Sequence, residues 1–159
     1  MSSIKILATG SDFLKEGVRG TGPVVEELME NIENELHILA YVISEHAEKF
    51  LGLIEKALES GIKTTLVINE LQKQDEYVKN KLLSWKSKFD YFKLVDFNRR
   101  EKTLHAKVVV IDREKAVLGS ANFSWGGMSG NYEIGVLLEG REAWIFSKLV
   151  DDVADSPEN

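Results

Sequence analysis

Two apolar runs, Glu35 to Ile43 (ELHILAYVI) and Ile62 to Ile68 (IKTTLVI), constrain this chain more than any other feature. A strand with one wet face alternates apolar and polar residues, whereas the first run is nearly unbroken and reads as a strand covered on both faces, and the second reads as another buried strand. Between them Phe50, Leu51, Ile54 and Leu58 recur at helical spacing, with Ser44 as the expected cap and Gly61 as the stop. Strand, helix and strand in this order call for a parallel crossover unit with layers packed on the sheet.

The remaining chain extends that plan. Ile4 to Ala8 is a short strand ended by Thr9-Gly10, and residues 10–22, which hold Gly10, Gly17, Gly20 and Gly22, read as a loop. Thr21 and Pro23 open a helix carrying Val24, Val25, Leu28, Met29 and Ile32. A third helix is expected over Gln72–Lys88, with Tyr77, Leu82 and Trp85 facing inward. Strands follow at Tyr91–Phe97, at 104–111 and 115–119 as a hairpin around Asp112-Arg113-Glu114, and at Tyr132–Leu138. A closing helix over 141–152 carries Trp144, Ile145, Phe146 and Leu149. The expected fold class is α/β: a mixed, largely parallel β-sheet flanked by helices on both faces. One domain is expected over residues 1–153, with 154–159 as a frayed tail.

At 159 residues the chain can bury a sizeable core. No apolar run approaches the ~18 residues of a membrane span, and no leader-like or anchoring segment is evident. Cysteine is absent, so disulfides and thiolate metal sites are excluded, and a cytoplasmic setting is the expectation. The net charge of −6 argues against wholesale non-specific binding of nucleic acid. The sign is uneven, however: Lys86, Lys88, Lys93, Arg99, Arg100, Lys102 and Lys107 cluster, while residues 26–35 and 151–158 are acid-rich.

The basic cluster leads into the stretch Leu104 to Glu133. Its fixed residues are His105, Lys107, Asp112, Gly119, Ser120 and Asn122, in the pattern H-x-K-x4-D-x6-G-S-x-N. At ordinary residue frequencies chance produces this roughly once per 10^8 starting positions. The pattern resembles the HKD signature of the phospholipase D superfamily at every signature position. Glu133 stands where that family keeps a carboxylate partner for its histidine. The segments ATGSDF, HILAYVIS and ALESGIKTTLVIN are similar to the N-terminal half of compact single-motif members, among them small bacterial endonucleases and mitochondrial-type phospholipase D-like proteins. The resemblance implies a phospholipase D-like fold and a phosphodiesterase.

The residue types fit that chemistry. A phosphodiester repels nucleophiles, so its oxygens must be neutralised and its leaving group protonated. Neutral imidazole is a competent nucleophile near pH 7, and its protonated form a competent acid. The expected roles are His105 as nucleophile through a phosphohistidine intermediate, and Lys107, Asn122 and Ser120 on the phosphate oxygens. Glu133 is expected to orient an imidazole. Asp112 and Gly119 are expected to be structural, at a turn and at a close backbone packing. Trp125, in a glycine-rich loop, and Arg99, Arg100 and Lys102 form a possible substrate rim. Trp125 could stack on a base, line an acyl groove or pack on a partner subunit.

The chain holds one such motif, whereas the reaction uses a nucleophile and a separate acid. His37 and His46 lack a lysine two residues on. A C2 homodimer with two copies of His105 facing each other is the simplest solution. No metal or other cofactor is implied, because no ligand cluster shows in the spacing. The expected function is a metal-independent nuclease acting on DNA or RNA. The alternatives are a phospholipase D-type lipid phosphodiesterase or transphosphatidylase, and a non-catalytic nucleic-acid-binding module.

Overall fold

The two apolar runs form adjacent parallel strands, β3 (Glu35–Ala40) and β4 (Lys63–Asn69), with Leu36 opposite Thr64 and Ala40 opposite Ile68. The crossover between them is α2 (Glu48–Glu59). The computed structural model describes residues 2–159. Ahead of β3 lie β1 (Ser3–Thr9), β2 (Val18–Gly20) and α1 (Thr21–Glu30). After β4 come α3 (Glu76–Lys88), β5 (Phe92–Phe97), β6 (Val108–Ile111), β7 (Lys115–Gly119), β8 (Glu133–Glu139) and α4 (Arg141–Ala154). All strands join one sheet in the order β2-β1-β8-β7-β6-β3-β4-β5.

Alternation along each strand divides the core in two. Leu7, Leu36, Ile38, Leu66, Ile68, Val109 and Leu137 face a cluster filled by α1, α2 and α3. Leu39, Val67, Val95, Val108, Val110 and Ala116 face the opposite side, where α4 contributes Ala143, Val150 and Ala154. Helices therefore cover both faces of a mixed sheet, as expected. Parallel pairing is confined to β1–β2, β3–β4 and β4–β5. The pairs β1–β8, β3–β6, β6–β7 and β7–β8 are antiparallel, so the sheet is less parallel than the early crossovers suggested. The hairpin half of the chain inserts between β1 and β3.

Local differences have local causes. The glycine-rich segment 10–22 is not wholly a loop, because Val18–Gly20 pairs with Ile6–Ala8 as an edge strand. Thr21 is the first residue of α1, not its cap; Gly20 takes that place, and the buried Thr21 hydroxyl has no hydrogen-bond partner. Ser44 does not cap α2; its carbonyl accepts the Ala47 N–H at 3.0 Å in a turn before the helix. On α3 the inward stripe is Val78, Leu82 and Trp85. That spacing turns Tyr77 to the flank, where it is exposed. The tail is folded back, with Asn159 Nδ2 donating to the Val153 carbonyl at 2.7 Å.

Candidate active site

The sheet brings the ends of β1, β3, β4 and β7 to the same edge as the starts of β6 and β8. At that edge β6 starts later than the sequence pattern suggests. Its last partner on β3 is Leu39, opposite Val108, so residues 104–107 run on past the paired region. Leu104 is buried and its N–H donates to Asn69 Oδ1 at 2.9 Å, fixing the segment that follows. Gln74 Nε2 ties the same corner together, donating to the carbonyls of Tyr41 at 3.0 Å and Asn69 at 2.7 Å.

On this anchored segment His105 is exposed and Lys107 is buried. The Lys107 side chain folds back on the histidine. Its Nζ donates to the His105 carbonyl at 2.8 Å and lies 3.0 Å from Nδ1 and 3.3 Å from Nε2. Tyr41 closes the group, its ring centroid 4.6 Å from the imidazole and 5.5 Å from Lys107 Nζ. Burial lowers the Lys107 pKa below the ordinary lysine value, and the charge of Glu133 opposes that shift. A lysine so placed is a desolvated cation aimed at a small volume, suited to an anionic oxygen.

Lys107, Gly119, Ala121 and Phe123 line one small cavity, which sets the lysine against the second half of the motif. Gly119 lies opposite Gly135, and a Cβ on Gly119 would fall 2.5 Å from the Ile134 carbonyl oxygen. Close contact of β7 and β8 at this point needs a hydrogen at that position. Ser120 follows, its N–H donating to Ile134 O at 3.0 Å and its hydroxyl accepting the Ile134 N–H at 3.2 Å. The Ser120 hydroxyl also donates to Glu133 Oε2, and Asn131 Nδ2 donates to Glu133 Oε1 at 3.4 Å. Glu133 was expected to engage an imidazole. Within this chain its two oxygens accept hydrogen bonds from Ser120 and from Asn131, two residues before it.

Asn122 Oδ1 is buried without a hydrogen-bond partner. Its backbone is held by Gly127, where a Cβ would meet the Asn122 carbonyl oxygen at 2.1 Å. Gly127 belongs to a π-helical turn, Gly126–Gly130, itself fastened by Thr9, whose hydroxyl donates to the Gly127 carbonyl at 2.8 Å. Trp125 precedes that turn and is 63% exposed. With Pro23, Val25, Phe50, Leu53 and Met128 it lines an apolar groove of about 240 Å³.

Asp112 lies at the opposite end of β6. Its carboxylate accepts the N–H groups of Glu33 at 3.0 Å, Asn34 at 2.7 Å and Glu35 at 2.9 Å. Asp112 and Arg113 have φ of 53° and 58°, and Glu114 N donates to Ile111 O at 2.9 Å, which makes a type I′ hairpin turn. Of the basic rim, Arg99 reaches Glu158 at 3.3 Å and Asn159 at 3.0 Å, and Lys102 reaches Glu158 at 3.4 Å. Arg100 is exposed. His37 is buried on the α4 face, 3.2 Å from Asp151, and His46 is exposed at the approach to α2. The sequence pattern gave no notice of Tyr41, Asn69, Gln74 or Gly127. Their signal was weak: an aromatic residue within the first apolar run, polar residues after the second, and one glycine among several.

Comparison with known proteins agrees with this geometry. Residues 25–153 match the family model described as "Cardiolipin synthase, PLD-like domain". The DISARM protein DrmC of Bacillus paralicheniformis is 28% identical over 151 residues, covering 94% of this chain and 62% of that protein. The chain thus spans under two thirds of that relative. Among solved structures, Nuc of Salmonella typhimurium, described as a phospholipase D family member, has a TM-score of 0.72 at 17% identity. That match covers 96% of this chain and 93% of Nuc. The phosphatidylserine synthase of Haemophilus influenzae has a TM-score of 0.75 at 13% identity, covering 96% of this chain but 38% of the synthase. With the family model covering most of its length, including the whole of the His105–Glu133 constellation, this chain belongs to the phospholipase D-like family.

Proposed function

We propose that the protein is a metal-independent phosphodiesterase that cleaves DNA or RNA, with a composite active site shared by two copies of the chain. The observation that carries this reading is the pairing of an exposed imidazole with a buried cation, Lys107 Nζ lying 3.0 Å from His105 Nδ1. A pure binding module has no use for a nucleophile held against a cation. In the reaction, an unprotonated ring nitrogen of His105 attacks phosphorus and the bond to the leaving oxygen breaks. The partner subunit's His105 gives that oxygen a proton. The same second histidine then takes a proton from water, whose oxygen displaces the first histidine from phosphorus. Lys107, Asn122 and Ser120 hold the non-bridging oxygens as charge builds on them. Tyr41 and Glu133 keep the imidazole and the Ser120 hydroxyl in place. Arg100, exposed on the loop leading to His105, supports a polyanionic substrate.

A second reading, a lipid phosphodiester as substrate, is favoured by the apolar groove beside Trp125. One panel separates the two: single- and double-stranded DNA, RNA and phosphatidylcholine or cardiolipin vesicles, all in EDTA. Nucleic-acid cleavage is expected, with His105→Ala reduced by about 1,000-fold or more. Turnover of vesicles alone would transfer the mechanism to lipid. His105→Ala at wild-type rate would end it.

A further inference from the structure

We infer that the groove beside Trp125 seats one unpaired nucleobase of the strand being cut, with the Trp125 indole as its stacking platform; this rests on the nucleic-acid reading of the site and deepens it. The indole is fixed before any ligand arrives. Its six-membered ring lies against Gly130, where a Cβ would fall 2.2 Å from Cζ3 and 2.7 Å from Cε3. The backbone beneath it is tied by the Met128 N–H donating to Ser124 O at 3.0 Å, the Gly127 N–H to Ser124 Oγ at 3.0 Å and the Asn131 N–H to Gly126 O at 2.6 Å. Trp125 still stays 63% exposed, so the ring is held without being covered. An indole held open in this way offers a large stacking area whose ordering cost is already met.

The groove adjoins the seat of the reacting phosphate. Val25 and Met128 line both this groove and the small cavity that holds Lys107 and Gly119, so the two share a wall. Trp125 is also three residues past Asn122, whose carbonyl Gly127 touches from within the same turn. A strand with its phosphate on Lys107 and Asn122 has a neighbouring base beside the groove.

The lining decides between a base and an acyl chain. Walls from Pro23, Phe50 and Leu53 suit either. The border is polar, however: Glu26 and Lys49 form an ion pair of 2.6 Å there, with Ser124 also on the lining. A heterocycle has apolar faces for the walls, and donors and acceptors along its edge for these polar groups. An acyl chain would desolvate them and return no hydrogen bond. Inside a duplex a base is already stacked and paired, so the seat draws on unpaired bases.

The test scans a single abasic residue along short end-labelled single strands of DNA and RNA and measures cleavage at each bond. Wild type is compared with Trp125→Ala, Trp125→Phe, Gly130→Ala and the control Trp144→Ala, an exposed tryptophan on α4, with melting as the check on each fold. For wild type, one placing of the abasic residue relative to the cut bond should slow cleavage about 10-fold. Trp125→Ala should lose about the same factor on the ordinary strand and nothing further on the abasic one, because base and indole are two halves of one contact. Gly130→Ala, which pushes the indole off its seat, should behave likewise. Trp125→Phe should keep most of the preference, and Trp144→Ala should match wild type. Equal slowing of ordinary and abasic strands by Trp125→Ala, or wild-type cleavage indifferent to the abasic residue, would overturn the base seat and leave the nuclease standing. Vesicles turned over while both nucleic acids stay intact would overturn the nucleic-acid reading and the seat with it.

Discussion

Lys107 Nζ sits 2.8 Å from the backbone carbonyl of His105 and 3.0 Å from Nδ1 of the same residue. The lysine thereby binds both the backbone and the ring of the residue two positions before it. The pair sits on a segment pinned by the hydrogen bond from the Leu104 N–H to Asn69. Preorganisation of this kind is what electrostatic stabilisation of a transition state requires.

The first prediction concerns that lysine. Lys107→Ala should lower kcat/KM by about 100-fold or more without comparable loss of stability. Burial lowers the Lys107 pKa, so the ammonium is lost as pH rises through a value below the ordinary 10.5. Activity should fall on the alkaline side before pH 10.5 is reached. A pH–rate profile that stays flat to that point would remove Lys107 from the phosphate.

Gly127 gives the second. A methyl group there would collide with the Asn122 carbonyl, which is backbone and cannot swing aside. Gly127→Ala should cost about 1–3 kcal/mol and move Asn122 from its position. Gly52→Ala, where a Cβ meets nothing within 4 Å, is the matched control on α2. Equal melting temperatures and equal rates for the two variants would contradict the clamp.

Asp112 should matter to stability and not to chemistry. Its carboxylate accepts three backbone N–H groups ahead of β3, at the end of β6 remote from His105. Asp112→Ala leaves those donors without their acceptor and should cost about 2–4 kcal/mol. Asp112→Asn keeps one acceptor oxygen, tolerates the positive φ and should cost less. Chemical denaturation measures both; a larger effect on kcat at saturating folded protein than on stability would place Asp112 at the site.

His37 supplies a pH prediction. Desolvation by burial, followed by the Arg113 charge, lowers its pKa below the unfolded value of 6.5, although Asp151 and Glu35 pull the other way. The unfolded chain then takes up this proton first on acidification. Stability from this group is constant above pH 6.5 and declines as pH falls below it. The facing groups Glu35, Asp151 and Arg113 are joined by ion pairs of 2.8 and 2.9 Å. Melting between pH 7.5 and 5.5 should show the decline, and His37→Gln should reduce it.

The strands and the family motif were readable in the linear chain for a physical reason. Strand burial leaves apolar runs such as Glu35–Ile43, and phosphoryl chemistry needs particular side-chain types at strand spacing, as in His105-x-Lys107. Both are local properties, and the motif could be found before any fold was known. Local pattern also suggested the capping of α1 by Thr21 and the inward turn of Tyr77, and there packing against neighbours decided otherwise. The proportion of antiparallel pairing, the short edge strand Val18–Gly20 and the late start of β6 depend on which strands become neighbours. So do the placing of Tyr41 on His105, the hold of Ser120 on Glu133, and the pressure of Gly127 on Asn122. These contacts join residues far apart in the chain, where no periodicity links them. Sequence spacing carries the reagents, and the sheet register decides which of them meet.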